Sequence, residues 1–411
     1  MSASYSITSN KELAPRSVWP PDAIPKIEAA LQALDRWLES HEYMGYDPFD
    51  GLSSFLRPLT CGTKIGRQLL LQLVKRSPFN LRPWIGVRPA PSSKGMAFLA
   101  RGYLRWNQMQ PGTAVQNKPQ HCLSWLREHA SPGYAGRCWG NHFDYQARLF
   151  YLPAGAPTVV WSSLIGQAFL DAFEMLGDAI YLEEASAICR FIVTELPRHQ
   201  DQTGTCISYV AHANIPVHNA NALAAALLAR VYQHTRETEL LSIATDALAY
   251  TVGHQNDDGS WFYGEQLNLH WIDNWHTAYV LDSLLGYAQS TGNQRFHSAC
   301  LRGWQFYHDH FFREDGTPKY YWNRIYPVDI QSAAQSIETL CRFRRLDDAA
   351  LSLAVRVALW TIDNMQDTTG YFYFQRRPWY VNRSAHLHWG QATMLSALTL
   401  LLLNINNDPS Q

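Results

Sequence analysis

Apolar residues recur along this 411-residue chain at the spacing of one face of an α-helix. In the helix expected to begin at Trp275, the residues Leu281, Leu284, Leu285 and Ala288 occupy positions i, i+3, i+4 and i+7. No segment rich in strand signals is seen, and no strand–helix alternation of the kind that builds a parallel sheet. The pattern therefore predicts an all-helical protein.

A short turn is repeated between the predicted helices. In each copy a glycine stands near an Asp or Thr, and an aromatic residue follows within a few positions. The four clearest copies contain Gly204, Gly259, Gly316 and Gly370. Their spacings of 55, 57 and 54 residues indicate one helical hairpin per repeat, because regular periods of this kind mark stacked supersecondary units. The helices that follow these turns are expected to begin near His218, Trp275, Ile330 and Trp389.

Five clear hairpins and one or two irregular ones predict an all-α toroid of the (α/α)6 type. An earlier hairpin combines residues 159–176 with 180–195, and the first unit begins with residues 24–39 and includes 94–106. No linker rich in Gly, Ser or Pro interrupts the middle of the chain. We therefore expect one toroid domain over residues 21–405, between a flexible N-terminal segment (1–20) and a C-terminal tail (406–411).

Charge and cysteine content narrow the classes of partner and compartment. The net charge is −1, from 34 basic and 35 acidic residues with no long run of one sign, which argues against a nucleic-acid partner or an anionic membrane surface. Seven scattered cysteines without a CxxC pair are typical of cytosolic usage. The N-terminal residues lack the apolar stretch of a signal peptide, and the apolar run at 394–403 is too short to span a bilayer. The sequence predicts a cytoplasmic protein without a membrane span and leaves its oligomeric state open.

Aromatic residues give the first indication of a ligand. There are 15 Trp and 21 Tyr residues, many of them in predicted loops. Aromatic rings can stack on the apolar faces of sugars, although large helical proteins also use them to pack hairpins together. No dinucleotide fingerprint, phosphate loop or legible metal site is present, so we expect neither a cofactor nor a metal.

Polar residues at the starts of the inner helices are the candidates for an active site. In a helical ring these helix starts converge at one end, so their side chains should lie close together. The acids predicted to be catalytic are Asp144, Asp273 and Asp329. The residues predicted to bind substrate are Asp47, Trp139, His218, Asn219, Glu265, His276, Lys319, Arg324 and Trp389. Asp273 and Asp329 also stand where a helix N-cap would.

Several segments, taken in order, resemble the six-hairpin glycosidase-like proteins of bacterial exopolysaccharide clusters, also called VpsJ-type polysaccharide biosynthesis proteins. The matching pieces include YDPFDGL at residues 46–52, SSKGMAFLARGYL at 92–104, VHNANALAAALLARV at 217–231 and WIDNWHTAYVL at 271–281. The resemblance covers most of residues 42–395 and implies the toroid fold and a polysaccharide or oligosaccharide substrate. One departure is GNHFDYQ, where relatives tend to read GYPFDW; Asp144 is kept but its neighbour is Tyr145.

Two enzymatic hypotheses follow. A glycoside hydrolase needs one carboxylic acid and one carboxylate, for which Asp144 and Asp273 are the preferred pair. A sugar epimerase or polysaccharide lyase instead moves a proton to or from carbon, which favours His or Tyr. The candidates for that role are His218, His276, His386, His388 and Tyr320.

Two further hypotheses stay beside them. A non-catalytic glycan-binding protein would keep the aromatic and amide residues without using the acids. A terpenoid cyclase is disfavoured, because the sequence contains no DDxxD or DxDD element.

Overall fold

The computed structural model describes residues 19–408. Most of the segment predicted to be flexible, residues 1–18, therefore lies outside the described residues, as do residues 409–411 of the predicted tail. Within the described part, the first helix begins at Ala23 and the last ends at Asn406.

Thirteen α-helices make up most of the described chain. In order they are α1 (Ala23–Ser40), α2 (Lys64–Arg76), α3 (Ser93–Met109), α4 (Lys118–Glu128), α5 (Val159–Leu176), α6 (Ala179–Glu195), α7 (His218–Thr235), α8 (Thr238–Gly253), α9 (Asn274–Thr291), α10 (His297–His310), α11 (Ile330–Phe343), α12 (Ala349–Met365) and α13 (Thr393–Asn406). A π-helix, Leu387–Ala392, leads directly into α13.

The helices form the predicted (α/α)6 toroid, which is confirmed. The inner helices α3, α5, α7, α9, α11 and α13 each contact the next, and α13 contacts α3 to close the ring. Helices α4, α6, α8, α10 and α12 pack outside the inner helix that precedes each of them. Helix α1 packs against α13, so the last hairpin joins the two ends of the described chain. The first predicted unit is thereby divided, since α3 pairs with α4 and α1 with α13.

Small residues let the inner helices approach closely. A β-carbon added to Gly102 of α3 would lie 2.2 Å from Leu395 Cδ2 of α13, and one added to Gly166 of α5 would lie 2.7 Å from the side chain of Leu227 of α7. The side chains along the inner helices are mostly buried, as expected for elements that touch neighbours on several sides.

The repeated turn glycines pack against the backbone of a neighbouring outer helix. Gly259 has φ +89° and Gly370 has φ +110°, in the left-handed region that favours glycine. A β-carbon at Gly370 would lie 2.2 Å from the carbonyl oxygen of Ala33 in α1. The side-chain amide of Gln366 donates to the carbonyls of both Ala30 and Gly370, at 2.9 Å each. The turn therefore joins successive hairpins, which explains why it recurs once per repeat.

Within residues 19–408, seven short strands lie in the loops between hairpins. They are β1 (Tyr145–Gln146), β2 (Tyr151–Leu152), β3 (Arg198–Gln200), β4 (Thr205–Ile207), β5 (Val328–Asp329), β6 (Gln375–Arg376) and β7 (Val381–Asn382). All pairs are antiparallel: β1 with β2, β3 with β4, and β6 with both β5 and β7.

One described helix, α5, is long and apolar enough to cross a membrane by length and composition, with a mean hydropathy of 1.2 over 18 residues. It is an inner helix of the ring, and 61% of that window is buried inside the protein. Helices in the core of a folded domain share these properties. All seven cysteines are free thiols, and six of them are buried.

Candidate functional site

The starts of several inner helices meet at one end of the ring, which we call the mouth. Lys94 of α3 has its ammonium nitrogen 5.1 Å from the ring centroid of Trp161 of α5 and 5.8 Å from that of Trp389 in the π-helix. Trp389 lies 5.4 Å from Trp275 of α9. Side chains far apart in sequence are thus brought together because each stands at the first turn of an inner helix.

Aromatic rings line the mouth. Trp389 contacts Phe49 at 5.6 Å between centroids, and Phe49 contacts Tyr145 at 5.0 Å. On the other side, Trp275 contacts Tyr320 at 4.7 Å. Apart from Trp275 and Trp389, which are buried, these rings are partly exposed. The arrangement offers apolar faces and polar edges to a ring-shaped ligand.

A buried histidine–carboxylate pair lies beside these rings. Asp47 Oδ2 is 2.8 Å from His388 Nδ1, and Asp47 Oδ1 accepts a hydrogen bond from the Phe49 amide at 2.9 Å. Burial opposes ionisation of Asp47, but the attraction and hydrogen bond of His388 outweigh it and lower the pKa of Asp47 to about 2. Burial also lowers the pKa of His388, with Asp47 opposing the shift. At neutral pH the pair is therefore a neutral imidazole beside an ionised carboxylate, and Nδ1, 2.8 Å from Asp47 Oδ2, also lies 3.4 Å from the Ser92 hydroxyl.

His388 Nε2 is consequently the free nitrogen of this pair. It is buried and has no hydrogen-bond partner within residues 19–408. An imidazole whose Nδ1–H is held by a carboxylate presents its Nε2 lone pair as a base. His386 lies two residues away with both ring nitrogens unpartnered among the described groups, and its ring packs on Phe374 at 4.7 Å.

The loop that carries Asp47 is held by buried ionic contacts. The Arg82 guanidinium donates to the Asp50 carboxylate at 2.6 Å and to the Asp47 carbonyl at 2.7 Å. Asp50 in turn accepts from the Asp47 amide at 2.9 Å. The Leu387 amide donates to the Tyr46 carbonyl at 3.0 Å, which fixes this loop against the π-helix. These contacts place Asp47 opposite His388 although 341 residues separate them.

Two lysines approach the mouth without an acceptor for their ammonium groups among the described residues. Lys94 is 3% exposed, and its contacts are the aromatic faces described above. Lys75, at the end of α2, lies 4.2 Å from the centroid of Phe49 and 5.8 Å from that of Trp389. Burial lowers the pKa of each to about 8, and the charge of Asp47 opposes both shifts. Both lysines are mostly protonated at pH 7 and give the mouth a local positive charge.

A second histidine–carboxylate pair lines a small cavity next to the mouth. Asp273 caps α9 by accepting from the His276 amide at 3.1 Å, and its Oδ2 lies 2.7 Å from His276 Nδ1. The Trp271 indole donates to the same oxygen at 2.9 Å. His218 and Asn219 line the cavity as well. Four of the predicted residues are therefore brought together here.

His218 forms a third pair, with Glu265. Its Nε2 lies 2.6 Å from Glu265 Oε1, and burial lowers the pKa of His218 while the hydrogen bond to Glu265 opposes the shift. His218 Nδ1 and Asn219 Oδ1 are buried without a hydrogen-bond partner among residues 19–408. His276, in contrast, keeps part of its ring exposed, because the α9 start faces the mouth.

Asp329 caps α11 and is fully buried. Its carboxylate accepts from the Gln331 amide at 2.9 Å, the Gln375 side chain at 2.7 Å and the Trp389 indole at 3.3 Å. Burial raises the pKa of Asp329 to about 6, against the opposing effects of Gln375 and Lys75. Asp329 thus combines capping with a position directly behind the Trp389 ring.

Asp144 lies at the rim, away from the pairs described above. Its carboxylate accepts from the Tyr151 hydroxyl and the Ala154 amide at 2.7 Å each, and it pairs with Arg57. Both oxygens are therefore occupied by the β1–β2 hairpin and its neighbour.

Three predicted substrate-binding residues have other contacts. The structure corrects the prediction that Trp139 binds substrate, because Trp139 is fully buried. Its indole donates to the Leu126 carbonyl at 3.0 Å, and it packs in the core without a face for a ligand. Lys319 donates to the Trp322 carbonyl at 2.8 Å. Arg324 is exposed and stacks over Tyr321 at 4.1 Å, at the edge of the mouth.

Lys75, Lys94 and Trp161 were not among the residues predicted from the sequence. A local signal existed for two of them, since Lys94 and Trp161 stand in the first turn of an inner helix as His218 and His276 do. Lys75 stands at the end of α2, a helix outside the repeat, and no periodic signal points to it. Among residues 19–408, no group of three or more His, Cys, Asp or Glu side chains is arranged to hold a metal ion.

Comparison with known proteins identifies relatives in fold. No family model matches the chain, and no curated protein matches it. A family 76 glycoside hydrolase (mannosidase) from Bacteroides thetaiotaomicron superposes with a TM-score of 0.61 over 94% of this chain and 100% of that one, at 9% identity. An unsaturated glucuronyl hydrolase specific for heparin gives 0.61 over 92% and 96%, at 12% identity. Cellobiose 2-epimerase from Bacillus thermoamylovorans gives 0.60 over 76% and 87%, at 10% identity. At these identities the comparison establishes the toroid fold.

Proposed function

We propose that the protein is a carbohydrate-active enzyme whose histidine–carboxylate pairs transfer protons at a sugar carbon, in an epimerisation or aldose–ketose isomerisation. One observation carries the proposal: His276 and His388 each have Nδ1 against a carboxylate oxygen, at 2.7 and 2.8 Å, and Nε2 without a partner among residues 19–408. The cellobiose 2-epimerase of the same fold is in line with this class of reaction.

Two histidines match the requirements of this chemistry. Removal of the proton next to a sugar carbonyl needs a base, and its return to the opposite face needs an acid. One Nε2 atom would take the proton from carbon 2 while the electron pair moves toward the carbonyl oxygen. The other, entering the cycle as the imidazolium, would give its Nε2 proton to the opposite face of carbon 2 and yield the epimer. For isomerisation the first would instead return its proton to carbon 1 while the hydroxyl proton of oxygen 2 passes to oxygen 1, which yields the ketose. Asp47 and Asp273 would hold each ring and stabilise the imidazolium that forms.

The surroundings of the two histidines support a sugar as substrate. His276 contacts Trp275 at 4.8 Å, Trp275 contacts Trp389 at 5.4 Å, and Trp389 contacts His388 at 5.8 Å, all between ring centroids. The two histidines thus belong to one cluster of rings, whose partly exposed members Phe49, Tyr145 and Tyr320 offer faces on which a pyranose or open-chain sugar could lie. The lysine ammonium groups would offset the negative charge that develops on the substrate oxygen.

Hydrolysis of a glycosidic bond is the second candidate, and the contrast between two acids favours it. The pKa of Asp47 is about 2 and that of Asp329 about 6, so Asp329 is mostly ionised at pH 7 but takes up its proton at a far higher pH than Asp47 does. Asp329 would have to lose hydrogen bonds to reach a substrate. The pair predicted from the sequence, Asp144 and Asp273, is less suited because each carboxylate already accepts at least two hydrogen bonds.

The experiment is proton NMR in heavy water with a panel of reducing mono- and oligosaccharides, including uronates. The proposal expects loss of the carbon-2 proton signal and appearance of the epimer or ketose without chain cleavage. His276→Asn and His388→Asn should each abolish exchange, whereas His308→Asn, on outer helix α10, should not. New reducing ends that disappear in Asp329→Asn would establish hydrolysis instead. Exchange that persists in both histidine variants would overturn the proposed chemistry.

A further inference from the structure

Half of the large apolar side chains exposed in the described structure come from one short segment. Of fourteen such residues, seven lie between residues 55 and 84, and each is 62–83% exposed. They are Phe55, Leu59, Ile65, Leu69, Leu73, Phe79 and Trp84. Exposed apolar residues scattered singly need no explanation, but a contiguous set marks a surface that is covered in use. We call this set, together with Trp379, the apolar face.

Helix α2 is the centre of the apolar face and is apolar on two sides. Its inner side, Leu70, Leu71 and Val74, packs in a small separate cluster with Leu52. Its outer side carries Ile65, Leu69 and Leu73 at a spacing of four residues. A helix on the surface of a domain normally presents polar residues outward. The outer stripe of α2 therefore has no partner in the described structure.

The protein holds this helix rigidly in place with its apolar stripe outward. The Arg67 guanidinium donates to the Gln146 side chain at 3.1 Å, and the Gln68 amide donates to the Ala147 carbonyl at 3.2 Å. At the other end, Asn382 donates to the carbonyls of Lys75 and Ser77 at 3.3 and 2.9 Å. The exposure of the stripe is thus a feature of a well-anchored element.

The tip of the β6–β7 hairpin extends the apolar face. Trp379 is 81% exposed, and the hydroxyl of the adjacent Tyr380 donates to the carbonyl of Arg76, the last residue of α2, at 3.3 Å. Arg376 and Arg377 stand just before it. The apolar face thus includes two highly exposed tryptophans, Trp84 within the segment and Trp379 beside the end of α2, and tryptophan favours the boundary between water and lipid.

Basic residues predominate along the segment that carries the apolar face, although two of them, Arg57 and Arg82, are paired with Asp144 and Asp50 from outside it. Residues 51–88 contain seven basic residues and no acidic one, although the whole chain has a net charge of −1. Lys64, Arg76 and Arg88 are exposed and form no ion pair among the described residues. The near-neutral total charge, which argued against an anionic surface as partner, therefore conceals a local basic segment.

We propose that the apolar face of α2, Trp84 and Trp379, with its surrounding basic residues, binds the surface of an anionic lipid bilayer. An apolar stripe combined with Lys and Arg and with interfacial aromatic residues is the pattern of helices that lie in the membrane interface. A second copy of the chain would fit less well, because an isologous contact would bring two basic segments together. Residues 1–18 include two basic residues and one acidic residue, so their charge does not complement the face either.

Binding through the outer stripe would leave the inner side of α2 in place, where Lys75 contacts Phe49 and Trp389 of the mouth. The membrane proposal does not depend on the proposed function, because its test measures binding and not turnover.

The test is flotation of the full chain with vesicles of phosphatidylcholine alone and of equal parts phosphatidylcholine and phosphatidylglycerol. Binding is expected only to the anionic vesicles and should weaken as salt is raised. Leu69→Ser combined with Leu73→Ser should weaken it at least about tenfold, as should Lys64→Glu combined with Arg76→Glu. Leu346→Ser, in the turn between α11 and α12, removes an exposed leucine outside the face and should bind like the unchanged protein.

Three results would overturn the proposal. The first is absence of binding to anionic vesicles by a protein whose circular dichroism shows a folded helical chain. The second is equal binding to both vesicle types, since it would remove the role of the basic residues. The third is dimerisation in solution, measured by light scattering, that disappears in the Leu69→Ser and Leu73→Ser variant without any vesicle binding, since it would assign the face to a second copy of the chain.

Discussion

Replacing Gly370 with alanine is expected to destabilise the ring where it closes. Gly370 has φ +110°, and an added β-carbon would lie 2.2 Å from the carbonyl oxygen of Ala33 and 2.5 Å from its carbonyl carbon. These are backbone atoms of α1, which packs on α13, so neither can move without shifting a helix. A left-handed conformation costs an L-residue about 1–2 kcal/mol, and forced overpacking adds about 1–3 kcal/mol. The expected loss in the free energy of unfolding is therefore about 2–5 kcal/mol.

Thermal unfolding followed by circular dichroism measures this loss. With an unfolding entropy of about 2.1 cal/mol/K per residue, a chain of this size should show a fall in Tm of roughly 2–6 °C. Gly286→Ala is the matched control, because Gly286 lies inside α9 and no atom lies within 4 Å of an added β-carbon. It should raise stability by about 0.5–1 kcal/mol. A Gly370→Ala variant as stable as the unchanged protein would refute the role assigned to the repeated turn.

Four further substitutions, one of them followed through a pH profile, test the site. Asp273→Ala removes the α9 cap and leaves three donors unpaired (the Trp271 indole, the His276 amide and His276 Nδ1), so urea unfolding should show a loss of about 2–4 kcal/mol. Asp273→Asn keeps the cap oxygen and should recover part of the stability but not the activity that needs His276. Burial lowers the pKa of Lys94 from 10.5 to about 8, so keeping its charge in the folded protein costs about 3 kcal/mol of stability at pH 7. This cost disappears as the pH rises from 8 through 10.5. Lys94→Met should therefore raise the stability measured in urea at pH 7, by at most that amount, and should weaken substrate binding. Because burial lowers the pKa of His388, the fall of kcat/KM on the acid side should be centred below pH 6.5. Asp47→Asn should move this midpoint to still lower pH, because it removes the anion that stabilises the imidazolium. A midpoint at higher pH in that variant would contradict the pairing of Asp47 with His388.

The fold could be predicted because its signals are local. The period of the turns and the helical stripes define each hairpin within about 55 residues, and the glycines of those turns are required by contacts with a neighbouring helix. Closure of the ring is a long-range event, so the pairing of α1 with α13 could not be read from the repeat. The division into one domain and a cytoplasmic location stay predictions.

The site was predictable only where it coincides with helix starts. His218, Asn219, Asp273 and His276 stand there, and they do line one cavity. The pairing of Asp47 with His388 depends on the closed ring and has no local signature. Trp139 could not be distinguished from a ligand-binding aromatic, because composition does not tell a buried ring from an exposed one.

The apolar face shows a different limit of sequence reasoning. Whole-chain charge averages the basic segment around α2 with acidic residues elsewhere, so the total of −1 hides it. The helical pattern of α2 is also ambiguous, because apolar residues on two sides predict a core helix as readily as a surface one. Only the exposure of Leu69 and Leu73 in the folded chain distinguishes the two.

The central claim is that carboxylates hold His276 and His388 so that Nε2 is free to accept a proton. Nitrogen NMR of histidine-labelled protein at pH 7 measures this directly, with His276→Gln and His388→Gln used to assign the two signals. The account predicts that both rings carry hydrogen on Nδ1 and that His388 is neutral with an unprotonated Nε2. A proton on Nε2 of His388 with a bare Nδ1 would contradict it, because the ring would then have no base to offer a substrate.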